Sequence, residues 1–326
     1  MPVSPDQPLS PHSARDGKKA SKKATPSPAD CADAQQGGVG DAPGADHDLN
    51  GDEPAESPVN TGAAGHDANG PAEWIVADFG RALMLLSRIP WSARLDFQSG
   101  LIARSVWCWP LVGVFLAGIA VLPAQALLWL TGNAGLAAVF ALLAMVGLTG
   151  ALHEDGLADC GDGFGGGATR ERKLEIMRDS RIGSYGVVAL ILAFAARFFV
   201  LEQAIEQGVF MMVMIVAAMF SRLAMPAMMA ILPPARPDGL GRGAGRPGLV
   251  PLMVALLFAV IITMLVAGPV LMLGALLAMG LACGVVGLVA YWQIGGQSGD
   301  VLGCSQIVAE IFVAISLLSL LAKGLA

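Results

Sequence analysis

Residues 106–130 read VWCWPLVGVFLAGIAVLPAQALLWL, a run without one charged side chain. A helix needs roughly 20 mostly apolar residues to cross a bilayer, so this run predicts a membrane span. Gly268 and Pro269 divide the longest apolar stretch of the chain, which is too long for one crossing. Further runs of comparable character cover 134–152, 184–205, 209–232, 250–267, 269–291 and 305–322. We therefore predict an all-α, polytopic integral membrane helix bundle of about seven transmembrane helices.

The composition agrees with a membrane protein and divides the chain in two. Of all residues 55% are hydrophobic and 14% are charged, whereas soluble domains carry about a quarter charged residues. The net charge of −6 resides entirely in residues 1–72, a segment rich in Pro, Gly, Ala, Ser and Asp. Such a segment buries too little apolar surface to fold. We predict a disordered tail over 1–72, a membrane-embedded catalytic domain over 73–326, and no binding to nucleic acid.

The distribution of basic residues predicts the orientation in the membrane. Segment 74–90 mixes charged and apolar residues, as expected of an interfacial helix. With seven spans, this segment, the 292–304 loop and the basic loops all lie on one side, which the positive-inside rule makes cytoplasmic. The basic residues concerned are Arg81, Arg88, Arg94, Arg104, Arg170, Arg172, Lys173, Arg178, Arg181, Arg236, Arg242 and Arg246. We predict a multi-pass protein of the cytoplasmic (inner) membrane whose active site faces the cytoplasm.

The most polar stretch after residue 100 begins as HEDGLADCGDGFGGG at 153–167. Asp155, Asp159 and Asp162 are spaced i, i+4, i+7 and share one helix face, with Glu154 beside it. Carboxylates at a membrane boundary are costly unless a cation neutralises them, and oxygen ligands suit Mg²⁺ or Mn²⁺. We predict a metal site on these three aspartates. A solvated acidic helix end is the alternative.

The residues on either side of the aspartates extend this candidate site. His153 is a candidate general base or metal ligand, or else a boundary residue that hydrogen-bonds the helix end. Gly165, Gly166 and Gly167 should end the helix and let backbone amides approach phosphate oxygens.

The segment before the third span carries a second group of candidates. Arg181 can bind phosphate through two parallel hydrogen bonds. We assign Ser180 and Arg181 to substrate binding, and Asp179 to the metal shell. The charged segment 170–178 predicts a short exposed helix.

Polar residues inside the later spans complete the set. Arg222 lies in the fourth span, where a partner carboxylate or a bound phosphate would explain it. Asp300, Gln306 and Glu310 are candidates to line the same polar cavity, although hydrogen bonding between helices is the simpler role for the last two. Arg197, in the third span, is interpreted as a snorkelling residue and left out of the site.

Three classes of protein fit an acidic site between membrane helices: a metal-dependent phosphotransferase, a divalent-cation transporter, and a structural or binding protein. A transporter should place its acids near mid-bilayer on discontinuous helices. Here the acids lie in a loop with Arg181 and a glycine run, which favours phosphate chemistry. The CDP-alcohol phosphotransferases use a similar Asp-rich motif, but D-G-L-A-D at Asp155 lacks their Ala-Arg pair.

The chain resembles the cobalamin synthase family, the adenosylcobinamide-GDP ribazoletransferases. The resemblance rests first on HEDGLADCGDGFGGG at 153–167 and ERKLEIMRDSRIGSYG at 171–186. Matching motifs also stand at 86–90 (LSRIP), 109–113 (WPLVG) and 299–310 (GDVLGCSQIVAE). The similarity covers residues 74–326. Cys160 replaces a residue that is commonly a small polar one, and 295–298 departs from the usual aromatic-Thr pattern.

This resemblance implies a reaction and its partners. A hydroxyl of α-ribazole, or of its phosphate, attacks the phosphate on cobinamide in adenosylcobinamide-GDP, and GMP leaves with Mg²⁺ required. Membrane lipids surround the bundle, and a homo-oligomer is left open. The three aspartates would hold metal on the diphosphate, and one of them or Glu154 would take the hydroxyl proton. Arg181 would neutralise the leaving GMP.

Overall fold

The computed structural model describes residues 71–92, 95–236 and 244–325. The tail predicted to be disordered therefore lies, except for its last two residues, outside the described part of the chain, as do Arg94 and Arg242. The described residues fold into α-helices. The helices are α1 (Pro71–Leu86), α2 (Ser99–Ser105), α3 (Trp109–Thr131), α4 (Ala134–Thr149), α5 (Leu152–Gly166), α6 (Arg170–Ile176), α7 (Ser184–Glu206), α8 (Phe210–Ile231), α9 (Leu249–Ile294) and α10 (Gly299–Ala322).

The apolar runs become helices whose ends follow local chemistry. Pro110 occupies the first turn of α3, where its missing N–H is not needed. Gly132 ends that helix with φ 64°, a left-handed conformation that glycine adopts without strain. The side chain of Asn133 then accepts a hydrogen bond from the Leu136 amide and starts α4. These signals confirm the predicted boundary between the first two runs.

The number of spans agrees only approximately with the predicted seven. In the described residues, five helices are long and apolar enough to cross a membrane, or six if α4 and α5 count as one bent span. Helix α9 has 46 residues, about twice what one crossing needs, and its backbone breaks at Gly268 with φ 81° and ψ 174°. Counting its two halves separately recovers seven. The break at Gly268 confirms the predicted division of this run.

The second apolar run and the acidic segment after it form two helices with a sharp corner between them. Helix α4 has only 16 residues, and α5 departs from it at 89°. Two consecutive left-handed residues make the corner, Gly150 with φ 65° and Ala151 with φ 58°. An alanine in this conformation costs about 1–2 kcal/mol, so tertiary packing must hold the corner in place. As a result α5 packs against α7 and α10.

The last helix begins earlier than its apolar run. The sequence predicts a span from residue 305, but α10 starts at Gly299, with the Ser298 side chain accepting from the Val301 amide as its N-cap. Asp300 therefore lies in the first helical turn, and not in a loop. This shift fixes the position of Asp300 relative to α5.

Two charged side chains of the first helix, Asp78 and Arg81, are buried. The segment predicted to be an interfacial helix forms α1, and its Asp78 is fully buried. Asp78 accepts hydrogen bonds from Arg81 Nη1 at 2.7 Å, from the Arg104 guanidinium, and from Trp107 Nε1 at 3.1 Å. This cluster ties α1 to α2 and to the 3₁₀ turn Val106–Cys108 that leads into α3.

Candidate active site

Helix α5 divides its polar residues between two environments. Asp155 is exposed and Asp159 is half-buried, whereas His153 and Glu154 are buried at 2% and 6% exposure. Side chains of consecutive helix residues point about 100° apart, so Glu154 faces the interior while Asp155 faces outward. The four carboxylates predicted from the motif do not act as a single cluster.

The acid face, which we define as Asp155, Asp159 and Asp300, forms where α5 crosses the first turn of α10. A Cβ atom on Gly156 would lie 2.7 Å from the Asp300 carbonyl oxygen, so only glycine permits this approach. Gly303 packs in the same way, with its Cβ position 3.3 Å from the Cα of His153. Backbone contact between the two helices thus brings Asp300 to the aspartates of α5.

Negative charge dominates at the acid face. Asp159 is repelled by Asp155, Asp300 and Asp162, while Arg236 is the attracting cation. The Nη2 atom of Arg236 lies 3.4 Å from Oδ2 of Asp300. The surplus of carboxylates over cations is the arrangement that a divalent metal would neutralise.

The donor set fits a hydrated Mg²⁺ better than a closed protein cage. Among the described residues, no three His, Cys, Asp or Glu side chains converge closely enough to hold a metal ion by themselves. Mg²⁺ usually keeps several waters and binds one or two carboxylates together with substrate phosphates. An exposed and a half-buried aspartate four residues apart meet that requirement.

Asp162 makes contacts that the sequence did not predict. Its carboxylate accepts hydrogen bonds from the backbone amides of Gly183, at 2.6 Å, and Gly186, at 2.8 Å. Gly183 is the N-cap residue of α7, so Asp162 caps the positive end of that helix. Both oxygens accept a hydrogen bond and the side chain is buried, so Asp162 positions the N-terminus of α7, and metal binding by Asp162 stays a prediction.

Asp179 and Arg181 lie beside an open cleft. They form an exposed ion pair, with Arg181 Nη2 2.7 Å from Asp179 Oδ2, and Ser180 between them is exposed. The Arg181 guanidinium lowers the pKa of Asp179 to about 2. Both residues line an open cleft of about 400 Å³ that Asp162 borders, whereas Asp155, Asp159 and Asp300 are absent from its described lining.

The glycine run ends α5 at Gly166, as predicted, but serves packing at two of its three positions. A Cβ on Gly165 would lie 2.7 Å from the Tyr185 ring, and one on Gly167 would lie 2.8 Å from the Lys173 amide. Only Gly166 leaves room, its nearest neighbour being Ile176 at 3.6 Å. Gly166 also borders the open cleft.

The interpretation of Arg197 as a snorkelling residue is wrong. Its side chain is 5% exposed and forms ion pairs with Glu154, at 2.7 Å, and Glu310, at 2.9 Å. One guanidinium therefore pairs with both glutamates inside the bundle. The pairing engages one oxygen of each glutamate, while Oε2 of Glu154 has no hydrogen-bond partner among the described residues.

The buried network continues to α8. Gln306 Nε2 donates to Glu310 Oε2 at 2.7 Å and to Ser221 Oγ at 3.0 Å. Arg222 donates to the Ala218 carbonyl oxygen at 3.1 Å and to Ser221 Oγ at 3.3 Å. Glu310 and Glu154 also attract Arg222 electrostatically, in agreement with the carboxylate partner expected for it. Gln306 thus has the simpler of its two predicted roles.

Arg236 is the site residue that the sequence did not single out. Its position follows from a parallel bridge between Pro234 and Gln297, in which the Ala235 amide donates to the Gln297 oxygen at 2.8 Å. Arg170 reinforces the bridge by donating to the Ala235 oxygen at 2.9 Å and to the Ile294 oxygen at 2.8 Å. No local sequence pattern predicts a contact between segments so far apart in the chain.

Comparisons with known proteins agree with this architecture. The family model described as cobalamin-5-phosphate synthase matches residues 78–318. A curated protein of Bradyrhizobium diazoefficiens, named adenosylcobinamide-GDP ribazoletransferase, is 42% identical over 74% of this chain and 93% of its own length. Proteins of the same name from Mesorhizobium japonicum and Azorhizobium caulinodans are 39% and 42% identical over 74% and 73% of this chain, and 92% and 93% of theirs. No solved structure matches the chain.

Proposed function

This chain belongs to the cobalamin-5-phosphate synthase family, and we propose that it transfers the phosphate-bearing cobinamide of adenosylcobinamide-GDP to α-ribazole or α-ribazole phosphate, releasing GMP. The product is adenosylcobalamin or its phosphate, so the step belongs to the late assembly of cobalamin. The curated relatives that carry this activity in their names are covered over more than nine-tenths of their length.

One structural observation carries the proposal. The crossing of α5 and α10 gathers Asp155, Asp159 and Asp300 beside Arg236 at one edge of the membrane bundle. Carboxylates and an arginine at one place supply what a diphosphate donor needs, namely oxygen ligands for its counter-ion and a cation for its phosphates.

The reaction balances without an oxidant or a further reactant. The acceptor hydroxyl oxygen forms a bond to the phosphorus attached to cobinamide. The bond from that phosphorus to the bridging oxygen breaks, and its electron pair leaves with GMP. The hydroxyl proton passes to a carboxylate oxygen of the acid face. We assign this proton to the acid face and not to Glu154, since Arg197 pairs with the buried Glu154.

Asp155 and Asp159 would hold Mg²⁺, with Mn²⁺ as a substitute. When bound there, the ion would neutralise the diphosphate and stabilise the charge of the departing phosphate. The mutual repulsion of Asp155, Asp159 and Asp300 supports this assignment, since a divalent cation relieves it.

The proposed site faces the cytoplasm at the inner membrane. The loop that precedes α7 carries five basic residues, and the positive-inside rule places such loops on the cytoplasmic side. They are Arg170, Arg172, Lys173, Arg178 and Arg181. Both substrates bear polar nucleotide or ribose groups and would reach the acid face from water, with the corrinoid ring over the mouth of the bundle.

The full chain, purified in detergent, tests the proposal. We expect GMP and cobalamin to form from adenosylcobinamide-GDP and α-ribazole in the presence of Mg²⁺, and no product after chelation by EDTA. Asp155→Asn combined with Asp159→Asn should lower kcat at least about 100-fold, as expected for loss of metal-dependent catalysis. The exposed Glu171→Gln variant is the matched control.

Folded wild-type protein that forms no cobalamin would refute ribazole transfer and would direct attention to CDP-linked alcohol donors. Near-normal turnover of the double asparagine variant would refute the metal assignment alone.

A further inference from the structure

Two arginines compete for the role of binding the phosphate that leaves. Arg181 was predicted from its motif, yet its side chain is 87% exposed and its Nε and Nη2 are both bonded to Asp179. Arg236 lies instead at the acid face, where it attracts Asp159 and Asp300. Position and hydrogen-bonding capacity therefore distinguish the two.

The backbone that leads into Arg236 is held by the bridge to Gln297. Hydrogen bonds run both ways across the bridge, from the Ala235 amide to Gln297 and from the Gln297 amide to Pro233, each at 2.8 Å. The approach is so close that a Cβ on Gly296 would overlap the Pro233 carbonyl. The bridge fixes the backbone up to Ala235, so the Arg236 side chain extends from a defined position beside Asp300.

The guanidinium of Arg236 has hydrogen-bond donors that its described contacts leave unused. Its side chain is 13% exposed, its contact with Asp300 is long at 3.4 Å, and its buried Nε has no hydrogen-bond partner among the described residues. A buried donor without a partner is destabilising, and a ligand oxygen would satisfy it. Arginine also presents its donors in a planar fork that matches two phosphate oxygens.

From these observations we infer that Arg236, and not Arg181, binds the phosphate of GMP during transfer. The inference rests on the proposed function. In the resting protein Arg236 is held loosely by Asp300. As the bond between the transferred phosphorus and the bridging oxygen breaks, the electron pair remains on GMP, and Arg236 neutralises the negative charge that develops there.

Product inhibition by GMP measures this contact directly. For Arg236→Gln, we expect the inhibition constant of GMP and the KM for adenosylcobinamide-GDP to rise about 10- to 100-fold, the usual effect of losing a charged hydrogen bond. The KM for α-ribazole should stay unchanged, because the acceptor does not touch Arg236. The control is Arg172→Gln, an exposed arginine of α6 paired with Glu175, which should leave all three constants unchanged.

Arg236→Lys provides a second measurement if the glutamine variant does not fold. Lysine keeps the charge but loses the fork, so GMP inhibition should weaken several-fold, again without change in the KM for α-ribazole. Unchanged GMP inhibition in the folded variants overturns the inference, as does a selective rise in the KM for α-ribazole. The inference is also overturned if GMP inhibition is weaker than wild type in Arg181→Gln but unchanged in Arg236→Gln. Wild-type protein without transferase activity would instead remove the proposed function itself.

Discussion

Arg197 of α7 forms a buried ion pair with Glu154 of α5, with 2.7 Å between Nη1 and Oε1. The same guanidinium reaches Glu310 of α10, so one side chain joins the three helices that surround the acid face. Glu154 immediately precedes Asp155 in the chain. The pair therefore fixes the start of the helix whose other faces carry the proposed chemistry.

We expect Glu154→Gln to lower the stability of the protein more than its turnover rate. The substitution removes one of the two carboxylates that pair with the buried Arg197 and leaves Glu310 as its ion-pair partner, so we expect a loss of about 1–3 kcal/mol. We expect a clearly lower Tm in detergent, measured by scanning fluorimetry, and measurable turnover below that temperature. A variant with wild-type Tm and abolished kcat would identify Glu154 as the catalytic base and contradict the assignment made here.

Asp162→Ala should destabilise the N-terminus of α7. The substitution leaves the Gly183 and Gly186 amides without their acceptor, and loss of a helix cap costs about 0.5–2 kcal/mol. We expect faster hydrogen exchange over the first turn of α7, followed by mass spectrometry. Asp162→Asn retains an acceptor and should show a smaller effect. Equal exchange in wild-type and Ala variants would show that the cap is unimportant.

Gly156→Ala should separate the two halves of the acid face. The new methyl group would lie 2.7 Å from the Asp300 carbonyl oxygen, and overpacking of this kind costs about 1–3 kcal/mol. We expect a lower Tm and a lower kcat for ribazole transfer together. Gly118→Ala is the control, because its Cβ position in α3 is open and helix propensity predicts a small gain in stability. A Gly156→Ala variant with the Tm and kcat of the wild type would disprove the close crossing of α5 and α10.

The pair of Asp179 and Arg181 should be insensitive to pH near neutrality. Arg181 lowers the pKa of Asp179 from 3.8 to about 2, so the stabilisation is complete above pH 3.8 and is lost as pH falls through about 2. Wild-type protein and Arg181→Gln should therefore show parallel Tm profiles between pH 5 and 9. Profiles that diverge in that window would show that Asp179 has another partner or a different pKa.

Much of the architecture followed from sequence because it depends on local composition. Apolar length predicts spans in any context, and Gly132, Asn133 and the glycines after Asp162 mark helix ends through their own backbone preferences. The corner at Ala151 was not predictable, since alanine favours a right-handed helix and only tertiary contacts hold it at φ 58°.

The candidate site also has one part that the sequence predicts and another that it does not. The motif places Asp155 and Asp159 on one helix face, because the 3.6-residue period is a property of the chain itself. The pairing of Arg197 with Glu154, the capping of α7 by Asp162, and the arrival of Arg236 beside Asp300 join segments from 21 to 64 residues apart. Such partners are chosen by packing and charge in the folded bundle. The sequence by itself thus determined the membrane helices, the acidic helix and the family. Only the tertiary structure decided which of the charged residues neutralise one another and which remain free to meet a substrate.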